Sequence, residues 1–85
     1  MRTFKYIIKD EQGIHARPAG ILVKEAKKYE SKIVIKKDNK SAEATRLMQL
    51  MSLGIKCGDQ VTVEICGEDE DTTAVQLETF LKNTL

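Results

Sequence analysis

Residues 3–29 read TFKYIIKDEQGIHARPAGILVKEAKKY, and within them the apolar repeat changes its period. At the start, Phe4, Tyr6 and Ile8 alternate with Thr3, Lys5 and Ile7, the two-residue repeat of a strand that buries one face. Asp10-Glu11-Gln12-Gly13 ends that strand. From Ala16 to Tyr29 the apolar residues Ala19, Leu22, Val23 and Ala26 recur at helical spacing and leave Lys24, Lys27 and Lys28 on the other side, which predicts an amphipathic helix. A half-buried strand followed by a half-buried helix requires a two-layer domain, because each must cover the apolar face of the other.

The same reading extends along the chain. Lys32 to Lys36 is a second short strand with Ile33 and Ile35 on one face. Lys37-Asp38-Asn39-Lys40 has turn chemistry and leads to a weaker, more polar strand near Ser41 to Glu43, together a hairpin. Leu47, Leu50 and Met51 share one face of a short helix that Gly54 can end in a left-handed conformation. Val61, Val63 and Ile65 alternate with Thr62, Glu64 and Cys66 in a fourth strand, which Gly67 closes. The acidic run Glu68 to Asp71 suits the start of a last helix and Lys82 its end, with Ala74, Leu77 and Leu81 as the core stripe and Phe80 beside them. The order is strand, helix, strand, strand, helix, strand, helix. It predicts an α+β domain whose four-stranded sheet packs all three helices on one face and leaves the other wet.

Composition bounds what such a domain can do. The 85 residues make one domain, 1–85, with room for a single modest core, so any site lies on its surface. Fourteen basic against thirteen acidic residues leave a net charge of +1, which gives no bulk attraction to nucleic acid or an anionic membrane. Cys57 and Cys66 fit neither a metal or redox pair nor a disulfide framework and read as free thiols in a reducing compartment. With no apolar leader at the start, and with the longest apolar stretch, Leu47 to Ile55, interrupted by Gln49 and Ser52, the expected location is the cytoplasm.

Gly13 to Gly20, GIHARPAG, holds the single histidine and the single proline. Pro18 suits the first turn of a helix, where its missing N–H and fixed φ carry no penalty. His15, Ala16 and Arg17 stand where a capping Ser, Thr, Asp or Asn is usual, so first-turn N–H groups, those of Ala16 and Arg17, are left for an external acceptor. A helix N-terminus with free donors is an anion site, and the Arg17 guanidinium adds a fork that matches phosphate. Beside it, the helix dipole and Arg17 both discourage protonation of His15, which keeps a ring lone pair available as a nucleophile. These residue types in this order point to phosphoryl transfer to His15, with the dianion held by the helix start and Arg17.

Gly13-Ile14-His15-Ala16-Arg17-Pro18-Ala19 resembles the active-site signature of the HPr family, the histidine-containing phosphocarriers of the bacterial phosphoenolpyruvate:sugar phosphotransferase system. Met48, Met51-Ser52-Leu53-Gly54, Lys56 and Gly58 resemble the family's second-helix region, and length and element order agree. The resemblance implies an open-faced β-sandwich with an antiparallel sheet, a histidine at His15 that takes phosphate on Nδ1 from enzyme I and passes it to sugar-specific IIA domains, and Arg17 as its charge partner. It implies no cofactor and no metal. It also gives the second helix a purpose as a docking surface, with Leu47, Met48 and Met51 as candidates, although Leu47 and Met51 fit the core equally well; Leu50 and Leu53 read as core. Gly20 offers a partner close approach to the backbone. A shuttle presenting one face to successive partners is expected to be a monomer.

The chain departs from the family pattern at one place. Relatives from Gram-positive bacteria begin the second helix with a regulatory serine, in a pattern like K-S-I-M-G, whereas here the stretch is Thr45-Arg46-Leu47-Met48-Gln49. Arg46 takes the serine's place and cannot accept phosphate as a serine does; Thr45 points about 100° around the helix from it. Two other readings remain: a paralogue feeding a regulatory, for example nitrogen-type, phosphorelay, and a non-catalytic α+β binding module. The second lacks any CxxC, metal-ligand spacing or RNA-binding aromatic strand, and the run Lys24, Lys27, Lys28, Lys32, Lys36, Lys37, Lys40 reads as a solvated face. A stand-alone enzyme lacks a nucleotide loop, a carboxylate cluster and a second base.

Overall fold

The computed structural model describes residues 1–11 and 16–85, with the side chains of 16 and 17 left aside. Seven elements follow in the expected order: β1 (Arg2–Ile7), α1 (Ala16–Ala26), β2 (Lys32–Lys37), β3 (Lys40–Glu43), α2 (Leu47–Ser52), β4 (Gln60–Cys66) and α3 (Glu70–Thr84). The sheet order is β1-β4-β2-β3 and every neighbouring pair is antiparallel. β4, last in sequence, therefore lies between β1 and β2, and α1 carries the chain across it.

Register places the apolar residues in rows. Val63 stands opposite Phe4 on one side and Ile35 on the other, and Ile65 opposite Ile33. Alternation puts these residues on the inner face, where Val63, Ile65, Ile33 and Ile35 are buried against Leu22 of α1, Leu50 of α2, and Leu77 and Leu81 of α3. Each such side chain contributes on the order of 1.5–3 kcal/mol when fully buried. The Tyr6 hydroxyl donates to the Leu81 carbonyl oxygen at 3.1 Å, which satisfies the one polar group this inner face of β1 brings into the core. On the outer face Lys5, Thr62, Lys36 and Ser41 form one cross-strand row, the wet side of the open sandwich.

α1 ends at Ala26, short of the predicted Tyr29. Lys27 still donates to Val23 O, but Lys28 and Tyr29 donate to Glu25 O and Ala26 O, so the last turn tightens to three-residue spacing. Asp38 adopts a left-handed φ of 55°, which the short polar side chain tolerates in the β2–β3 turn. Gly54, with φ 63°, takes the left-handed position after α2 and donates to Met51 O at 3.3 Å.

Candidate functional site

α1 starts at Ala16 and has no acidic residue in its first turn, so the positive end of its dipole is uncompensated by its own side chains. Pro18 is buried in that turn, which anchors the helix start to the body of the domain. His15 and the side chains of Ala16 and Arg17 lie outside the described residues. Gly20 sits in the middle of α1, and a methyl group built on it would meet nothing within 4 Å. The packing of the fold does not require glycine there, and the bare backbone it leaves faces open space.

α2 packs against α1 and β3. Its Leu50 is fully buried and Leu53, just beyond the helix, is buried too, as predicted. Leu47 and Met51, for which a core position was equally open, are 40% and 36% exposed, and Met48 is 75% exposed. Six residues of helix have one inward stripe, and Leu50 fills it; the residues on either side are pushed to the rim. Three apolar side chains on so short an element make an exposed patch that a folded monomer has no internal reason to keep.

Between α1 and α2 runs an open groove lined by Val23, Lys27, Arg46, Leu47, Met48 and Gln49. Sequence reading did not join Val23 and Lys27 to this surface, because their proximity to α2 depends on how the helices pack. Arg46 precedes α2 with extended backbone and pairs with Glu43 at 3.6 Å, the carboxylate that Lys32 also meets at 3.6 Å. The Gln49 side chain accepts from Glu43 N at 3.3 Å, which fixes the start of α2 against the end of β3.

The basic run is largely neutralised. Lys28 pairs with Glu25, Lys32 with Glu43, Lys36 with Glu64 and Lys37 with Asp59. Lys37 is a correction to the solvated-face reading: its side chain is only 21% exposed, and its ammonium donates to Gly54 O at 2.9 Å and meets Asp59 at 2.8 Å, tying β2 to the loop that leaves α2 and leads into β4. That ammonium is the main reason the Asp59 carboxyl is held below its ordinary value. Lys24 and Lys27 on the α1 side have no ion pair among the described residues. Cys57 and Cys66 are free and exposed, and no group of possible metal ligands occurs among the described residues.

An antiparallel sheet of this order, three helices on one side of it and an exposed apolar second helix packed against the first define an open-faced α+β domain. The chain belongs to the family described as the PTS HPr component phosphorylation site, whose model matches residues 2–83. Among its relatives is the phosphocarrier protein HPr of Mycoplasma capricolum subsp. capricolum, 41% identical over 71 residues, covering 84% of this chain and 80% of that one. A crystal structure of HPr-C-His from Thermoanaerobacter tengcongensis superposes with a TM-score of 0.93 at 36% identity, covering 99% of this chain and 94% of that one. A crystal structure of an HPr dimer from the same organism gives 0.76 at 36% identity, with 98% and 95% covered. The chain is thus a phosphocarrier of a phosphotransferase system, a carrier of phosphohistidine and not an enzyme. Among the described residues no helix is long and apolar enough to cross a membrane.

Proposed function

We propose that His15 accepts the phosphoryl group from phosphoenolpyruvate-charged enzyme I and passes it to sugar-specific IIA domains in the cytoplasm. The observation that carries this reading is that a family of phosphohistidine carriers matches residues 2–83 of a chain with one histidine, His15, two residues before Arg17 and next to the first residue of α1. The backbone N–H groups of Ala16 and Arg17, with the Arg17 guanidinium, hold the phosphate dianion at the positive end of α1. Charge stabilisation and in-line positioning are most of what phosphoryl transfer asks of a protein. A surface site suits a carrier, because the next acceptor must approach the phosphorus from the side opposite the imidazole.

Gly20, Leu47, Met48 and Met51 form the docking face in this reading, with methionines able to repack against successive partners. The protein works as a monomer, since the same face must be free for donor and acceptor in turn. Arg46 in place of a serine removes the acceptor on which a serine kinase would act. The test is incubation with phosphoenolpyruvate and enzyme I, followed by intact mass and by the acid lability of the adduct. One acid-labile phosphate is expected, absent from His15→Ala; an adduct that survives in His15→Ala would move the phosphate to another residue and overturn the assignment.

A further inference from the structure

α2 has six residues, and isolated helices shorter than about 12–15 residues are marginal, so its neighbours must hold it. It has no side-chain cap at its start and no basic residue in its last turn. Leu50 and Leu53 root it in the core, and its far end is held from another element. Lys37, the last residue of β2, donates to Gly54 O at 2.9 Å and meets Asp59 at 2.8 Å. A cation placed there does what a basic residue in the last turn of α2 would do, at the negative end of the helix. Among the ion pairs of the described residues this one is the shortest and its cation the least exposed, so solvent and salt screen it least.

Asp59 is itself fixed. Its carboxylate accepts from Lys56 N at 2.8 Å, which closes the turn 56–59. That turn is paired to the chain after β1: Ile8 N donates to Asp59 O at 2.9 Å and Gly58 N to Ile8 O at 2.7 Å. Ile8 in turn opens the stretch of sequence that runs to His15. Lys37 thus joins the end of β2, the end of α2 and the turn beside the strand that leads toward His15.

We infer that Lys37, held by Asp59, is a positioning residue for phosphoryl transfer: it fixes the direction of α2, and with it Met48 and Met51, relative to the end of β1. The inference rests on the reading of α2 as docking face and adds to it a residue outside that face, acting through the helix. A patch whose orientation is set before a partner arrives binds without the cost of ordering it. Without the clamp the chemistry at His15 is untouched, but each encounter finds α2 in place less often. KM should therefore rise while kcat holds, the signature of lost binding common to ground and transition states.

The experiment measures transfer from enzyme I, with this chain as the varied substrate, for wild type, Lys37→Met and Asp59→Asn. Gly67→Ala serves as control, because its added Cβ meets Ser31 at the far β4–α3 turn. Hydrogen exchange of the Leu53 and Gly54 amides, which donate to Leu50 O and Met51 O, reports the end of α2 directly. Both clamp variants are expected to speed that exchange about tenfold or more and to raise KM about threefold or more, with kcat within about twofold of wild type. Should Lys37→Met fail to fold, Asp59→Asn, which keeps its shape and loses only the charge, decides alone. Unchanged exchange overturns the inference, as does a KM rise matched by Gly67→Ala or a KM that is raised in Met48→Ala but not in the clamp variants. The exchange readout needs no partner, so its failure is distinct from that of the docking reading, which Met48→Ala decides, and of the His15 assignment, which the acid-labile adduct decides.

Discussion

At the scale of single residues, Asp69 joins two distant parts of the fold. Its carboxylate accepts from Glu30 N at 3.0 Å, from Ser31 N at 2.9 Å and from the Ser31 hydroxyl, so the residue preceding α3 holds the start of β2 in place. Gly67 makes that approach possible: a Cβ there would stand 2.7 Å from Ser31 Cα, closer than backbone atoms allow. Gly67→Ala is expected to destabilise the protein by about 1–3 kcal/mol, read from urea unfolding, because the β4–α3 turn must back away from Ser31. A Gly67→Ala variant as stable as wild type would show that the turn yields freely. The Ser31 hydroxyl, followed by the backbone N–H donors, holds the Asp69 carboxyl below its ordinary value of 3.8. A depressed folded pKa means that the stabilisation is complete above the unfolded value and disappears as pH falls through the folded one. Unfolding midpoints are therefore expected to be flat near neutrality and to fall on acidification, and Asp69→Asn to lower the neutral midpoint while making the acid limb shallower. An acid limb unchanged in Asp69→Asn would assign it to other carboxylates, Asp59 first. None of this was legible in sequence, where Asp69 reads only as one of four acids at a helix start; Ser31 lies 38 residues away and nothing local announces the pairing. His15 and Arg17 are singled out by sequence because the chemistry proposed for them is local to one helix start, and both His15 and the Arg17 side chain lie outside the described residues.

Elements were the most legible level, since each helix and strand writes its period in its own apolar residues. The inner residues of β2 and β4 and the stripe of α1 lie where alternation and helical spacing put them. Extents were less so: α1 stops at Ala26 because its last turn tightens, while Lys27 and Lys28 continue a composition that suits a helix. In α2 the sequence left Leu47 and Met51 between core and surface, since in six residues the apolar stripe is wider than the contact it makes. The structure separates two kinds of apolar residue on that helix, and they should respond in opposite ways. Leu50→Ala removes a fully buried side chain and is expected to cost about 2–5 kcal/mol of stability. Met48→Ala, at a side chain 75% exposed, is expected to change stability by less than about 0.5 kcal/mol while raising the KM for enzyme I. Normal transfer kinetics in Met48→Ala would take this residue off the docking face. On α1, Gly20→Ala adds a methyl into open space and raises helix propensity by about 1 kcal/mol. A gain in stability together with slower transfer would mark Gly20 as a concession to partners; a gain with unchanged transfer would leave it without that role.

At the scale of the whole molecule, sequence order gave no means of ranking the strands across the sheet. β4 becomes an inner strand because α1 spans two strands that lie parallel with a gap between them, a relation visible only once the helices are docked. The same arrangement leaves β1 and β3 as edges, and both are poor templates for a second chain: β1 carries Arg2 and Lys5, and β3 is four residues long with Lys40 at its start. A similar protein has nonetheless been crystallised as an HPr dimer, so the monomer is a prediction to be measured. A dimer stable at working concentration would have to cover either an edge strand or the apolar patch of Leu47, Met48 and Met51. The first is discouraged by charge and shortness. The second would occupy the face proposed above for docking enzyme I and a IIA domain, and on that reading transfer would slow as protein concentration rises. Sedimentation across a wide concentration range is expected to give the mass of one chain throughout, with transfer rates proportional to concentration. A concentration-dependent mass whose onset coincides with a falling specific rate would show self-association through the docking face, whereas a dimer with undiminished transfer would place the contact on the β1 edge, away from α2.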